Sequence, residues 1–96
     1  MAITDTTDSI PVTTTVAVRV PHDSDADLET GAERRLSRLD GVREATVAEL
    51  RGLRPGLSAT VVTVTATIDS SISVAELRDR FQSSTSIDAI ERLDDT

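Results

Sequence analysis

Between Ser58 and Asp69 the chain alternates without a break, and nothing else in the sequence restricts its fold as strongly. Val62, Val64, Ala66 and Ile68 share one parity; Val61, Thr63, Thr65 and Thr67 share the other. Alternation of this length specifies a strand with one buried face and one less buried face. The remaining elements must therefore pack beside this strand or onto it.

Before it, Pro11 opens a second alternating run that ends at Pro21, where the ring fixes φ and removes a donor. Val12, Thr14, Val16, Val18 and Val20 point to the core; Thr13, Thr15, Ala17 and Arg19 point away. Asp and Ser at 23–27 supply N-cap chemistry, and Leu28, Ala32, Leu36 and Leu39 recur at helical spacing up to Gly41, a natural stop. Val42, Ala45 and Val47, with Leu50, line the inner face of a weaker strand. Arg51 to Gly56 reads as the turn of a hairpin into the Ser58–Asp69 strand. Ser73 and Glu76 form a capping box with Ile72 and Leu77 at staple positions, opening a second helix buried through Val74, Leu77 and Phe81. The last segment is ambiguous. Ile87, Ile90 and Leu93 suit a helix, whereas Ile87, Ala89 and Leu93 suit an edge strand.

The order strand, helix, strand, strand, helix favours a closing fourth strand. The expected fold is α+β, a ferredoxin-like βαββαβ sandwich with strand order 4-1-3-2 and both helices on one face. Residues 1–10 are expected to be a flexible tail and 11–94 a single domain. The helix-free face would carry Thr13, Thr15, Ala17, Val61, Thr63, Thr65 and Thr67, almost without charge. A solvated threonine face is common in small sheets; burial against another subunit is the alternative.

Composition sharpens that choice. The 96 residues include one Phe, no Trp or Tyr, and no Cys, which leaves a thin aliphatic core and excludes disulfides and thiolate metal sites. Each buried Val or Leu stabilises by roughly 1.5–3 kcal/mol while ordering each backbone residue costs roughly 1–2 kcal/mol, so assembly or a special solvent is a natural supplement. Net charge is −7, every basic residue is Arg, and the acids are spread along the chain. This resembles the composition of a halophilic archaeal protein, which is the expectation over a partner role toward a basic protein: in molar salt the Debye length is about 3 Å, and a carboxylate surface stays hydrated while its self-repulsion is screened. No apolar run reaches a membrane span, and the N-terminus lacks signal-peptide features, so a cytoplasmic location is expected.

Few residues invite chemistry. His22 is the only histidine; an antiparallel fourth strand would bring it near Ser86 and Asp88, a set able to bind a small polar ligand or move a proton. Asp23, Asp25 and Asp27 suggest loose cation binding, although starting an EF-hand at Asp23 places Leu28 and Arg34 where Gly and Glu are required. Arg38, Arg51 and Arg54 belong to a segment, 34–54, that holds six of the ten arginines and could bind an anion or RNA. With no aromatic there to stack bases and acids nearby, intramolecular pairing is the better use, and nucleic acid is disfavoured. No cofactor motif occurs, and a non-enzymatic protein is expected.

Val18–His22, Leu36–Val42 and Ser86–Ile90 together resemble a small uncharacterised archaeal family. The resemblance implies a ferredoxin-like fold, Pro-His after the first strand, Ser-Ile-Asp in the last, homo-oligomeric assembly and no established reaction. Thr85 stands where that family has a second histidine, and the Arg51–Gly56 hairpin differs. ACT-type amino-acid-binding domains share the element order and are a weaker resemblance, implying a small-molecule-binding regulatory role. Heavy-metal-associated domains share Gly41-Val42 but need a cysteine pair that is absent. The leading expectation is a homo-oligomeric module that binds a small ligand or a divalent cation; the alternatives are the anion-binding and ACT-like roles.

Overall fold

The computed structural model describes residues 10–22 and 27–95. The elements follow in the order β1 (Ile10–Pro21), α1 (Leu28–Ser37), β2 (Val42–Pro55), β3 (Ala59–Ser70), α2 (Val74–Ser83) and β4 (Ile87–Asp95). The strands make one antiparallel sheet in the order β2-β3-β1-β4, which is 4-1-3-2 read from the other edge. The expected tail at 1–9 lies outside the described residues, and Ile10 already belongs to β1.

The central pair follows from alternation alone. β1 and β3 run in unbroken register from Ile10↔Ser70 to Pro21↔Ala59. Their even-numbered residues Val12, Val16, Val18, Val20, Val62, Val64, Ala66 and Ile68 are buried, together with Ala32 and Leu36 of α1 and Leu77 and Phe81 of α2. Both helices therefore cover that one face. The two buried polar residues of this layer find partners: Thr14 Oγ1 donates to the Arg92 carbonyl at 2.7 Å, and Ser70 Oγ donates to the Ile72 carbonyl at 2.7 Å. Such pairing removes the penalty of burying a hydroxyl.

The edge strands are less regular. β4 shifts register against β1 twice, leaving Asp88 and Glu91 as extra residues; β2 shifts three times against β3, at Arg43, Ala48 and Arg51. Each bulge converts a two-residue step into a three-residue step. Ile87, Ile90 and Leu93 consequently oppose Val18, Val16 and Thr14 on the covered face. Their helix-like spacing is the spacing of a doubly bulged strand. The hairpin is also tighter than expected, because β2 continues through Pro55 and only 56–58 turn.

The helix ends carry the expected chemistry. The Ser73 and Glu76 capping box is formed, and the Asp27 carboxylate accepts the Thr30 amide at 2.8 Å. Gly41 has φ +89°, and a Cβ there would collide with the Ile72 side chain, so this stop requires glycine on two counts. Helix side chains also reach the sheet edges. Glu33 of α1 accepts the Val47 amide of β2 at 2.9 Å, and Arg78 of α2 donates to the Leu93 carbonyl of β4 at 3.2 Å. Among the described residues no helix is long and apolar enough to cross a membrane.

Candidate functional site

The face that the helices leave open is a ruled surface of cross-strand rows. One row runs Thr46, Thr67, Thr13, Asp94 across β2, β3, β1 and β4. The next is Glu49, Thr65, Thr15, Arg92, centred on a Thr15–Thr65 hydroxyl contact of 3.3 Å. The third is Gly52, Thr63, Ala17, Ala89. This last row holds the smallest side chains of the face, and a Cβ on Gly52 would meet only Thr63 at 4.0 Å. Packing does not demand glycine there; the missing side chain deepens the surface. A hollow of about 220 Å³ results, lined by the small residues Ala17, Gly52, Val61, Thr63 and Ala89 together with Leu53, Arg54, Asp88 and Glu91.

Charge sits at the two ends of this face. Beyond the small-residue row, Arg54 and Arg19 flank Val61. Both guanidiniums reach Asp88, Arg54 Nη2 at 3.0 Å and Arg19 Nη2 at 3.4 Å. Asp88 can serve both because it is a bulge residue of β4, displaced from the regular pleat. Its side chain is 27% exposed against 56% for Arg19 and 72% for Arg54. Pairs this wet contribute little stability, between 0 and about 1 kcal/mol, so the cluster sets surface charge more than it holds the fold. At the opposite end Glu44 and Asp69 are cross-strand neighbours of like charge, and among the described residues neither is in a salt bridge. The open face therefore has an arginine-bearing end, which Asp88 and Glu91 share, and an acidic end where Glu44 and Asp69 have no cation in a salt bridge.

The residues singled out from sequence are distributed as follows. Thr13, Thr15, Ala17, Val61, Thr63, Thr65 and Thr67 share the open face. His22 turns toward β3: its amide donates to the Ser58 carbonyl at 3.2 Å and its Nε2 lies 3.3 Å from Thr60 Oγ1. Ser86 lies in the turn just before β4, its carbonyl accepting the Arg19 amide at 2.8 Å and its own amide donating to Ser84 Oγ. Asp88 is engaged by the two arginines, so the expected trio is divided between two neighbours of β1. Asp23 and Asp25 lie outside the described residues. Asp27 is the α1 cap; the Thr30 amide, and after it the Thr30 hydroxyl, hold its carboxyl below the usual carboxylate range, with loss of water acting the other way. Among the described residues no three His, Cys, Asp or Glu side chains group to hold a metal. Arg38 closes α1 with its amide on the Arg35 carbonyl, Arg51 lies 3.8 Å from Glu49, and Arg54 belongs to the Asp88 cluster.

Two features of the site have no signature in the sequence. The Arg19–Asp88–Arg54 cluster joins three strands through a bulge that no pattern announces. The Gly52 row was hidden because Gly52 stands in what looks like turn chemistry. Compared with family models, curated proteins and solved structures, the chain matches none.

Proposed function

We propose that this chain is a non-enzymatic, self-associating ferredoxin-like module of a halophilic archaeal cytoplasm, and that it assembles through the open face of its sheet. One observation carries the reading: along β1 and β3, between the charges at its two ends, the open face presents only Thr, Ala and Val side chains in a chain of net charge −7. The carboxylates of this face, Glu44, Glu49, Asp69 and Asp94, stand on its edge strands or at its end, which leaves the charge-poor centre and charged rim of an interface. The hollow beside the Asp88 cluster, about 220 Å³, falls below the roughly 300–1,000 Å³ of ordinary ligand sites. It is better suited to receive side chains of a partner than a metabolite, and small-ligand binding there is a secondary role.

Salt discriminates this reading from a monomeric one. Two copies of charge −7 repel over about 30 Å at 0.01 M ionic strength and over only about 3 Å at 1 M. Light scattering of the eluting protein is therefore expected to show a growing assembled fraction as KCl rises from millimolar to molar. A monomer at every salt and protein concentration would end the reading.

A further inference from the structure

The charges of the open face determine how a second copy would lie on it. We infer that the partner is another copy of this chain, packed face to face with its strands reversed, about a two-fold axis that crosses the strands at the Thr15–Thr65 row. This inference rests on the self-association proposed above and specifies its geometry.

The rows make the argument. Counting outward from Thr65 on β3, Thr63 and Thr67 are equidistant, as are Val61 and Asp69; from Thr15 on β1, so are Ala17 and Thr13. A two-fold axis across the strands at that row therefore lays the Thr46, Thr67, Thr13 row of one copy on the Gly52, Thr63, Ala17 row of the other. A ridge of threonines enters a groove of small residues, twice. The same operation lays Arg54 over the partner region that holds Glu44, since Arg54 pairs Val61 and Glu44 pairs Asp69. The arginine-bearing end, where two guanidiniums share Asp88, meets two carboxylates that are in no salt bridge among the described residues.

The competing arrangement has its axis along the strands. It would stack the acidic ends on each other, placing Glu44 and Asp69 of both copies in one layer. That axis would also bring Glu49 opposite Arg92 of the other copy, but both already have a partner, Arg51 and Asp94. Glu44 and Asp69, in contrast, are in no salt bridge among the described residues, so the stacking of four unpaired carboxylates separates the two arrangements. Four strands at about 4.8 Å spacing and eight residue steps of about 3.3 Å outline roughly 500 Å² per copy. That area is at the low end for specific association, so charge alignment decides the orientation.

The test uses the natural absence of cysteine. Thr63→Cys and Thr67→Cys variants, mixed in molar KCl under mild oxidation, are expected to form a disulfide-linked heterodimer, while either alone stays unlinked. Thr65→Cys is expected to link to itself. In parallel, Arg54→Glu and Glu44→Arg are each expected to weaken assembly by about tenfold or more, and the double variant to recover most of it; circular dichroism confirms that each variant is folded. Self-linking of Thr63→Cys, or no recovery in the double variant, overturns the reversed orientation. If Thr65→Arg still dissolves the assembly in that case, the open-face reading survives without this geometry. If the wild type is monomeric throughout, both fail together.

Discussion

The two faces of the sheet are drawn from the same strands and obey opposite rules. On the covered face, Val12, Val16, Val18, Val62, Val64, Ala66 and Ile68 are fully buried under α1 and α2. On the open face, Thr13, Thr15, Thr63 and Thr65 are half-buried by their own neighbours alone. Threonine keeps the β-branched shape that a strand favours and adds a hydroxyl that water or a partner can satisfy. The covered face specifies the fold through volume. The open face adds little by volume, and its charges, Arg19 and Arg54 at one end against Glu44 and Asp69 at the other, contribute little to the folding of a single copy.

Substitutions can break this contrast in either direction. The largest effect belongs to the covered face: Phe81→Ala removes the only aromatic side chain, which is fully buried, and should cost about 3–5 kcal/mol in urea unfolding. A loss below 1 kcal/mol would mean that the helices do not depend on the core as described. Gly41→Ala comes next, at about 1–3 kcal/mol, because positive φ and the Ile72 collision act together. Ser73→Ala should cost about 0.5–2 kcal/mol through the lost cap of α2. On the open face the order reverses: Thr65→Arg should leave the stability of the monomer within about 1 kcal/mol while abolishing assembly.

The smallest effect is at Asp27, and its sign is fixed. Thr30 lowers the carboxyl's folded pKa, so the stabilisation is complete above the usual carboxylate range and disappears as pH falls through the folded pKa. Asp27→Asn should thus lose stability relative to wild type at neutral pH and converge with it in strong acid. A constant difference across pH would assign the cap no charge component.

Legibility from sequence followed regularity. β1 and β3 pair without a bulge, so parity alone placed every side chain of their two faces, including the seven open-face residues. β2 and β4 gain five extra residues between them, and each one reverses the parity that follows. That is why Ile87, Ile90 and Leu93 suited a helix, and why Asp88 could not be assigned to Arg19 and Arg54. Topology names two neighbours for β1 without choosing which of them His22 meets. The register chooses: β4 pairing ends at Val18, whereas β3 pairing continues to Pro21, so His22 meets Thr60.

The central claim is that the open face is an interface, and the molar mass in molar KCl tests it most directly. Light scattering across a wide protein concentration range should give the 10.3 kDa chain a mass approaching twice that value, and Thr65→Arg should return it to the single-chain mass. A wild-type protein that stays at the single-chain mass throughout, or a Thr65→Arg variant that assembles as well as wild type, would contradict the account.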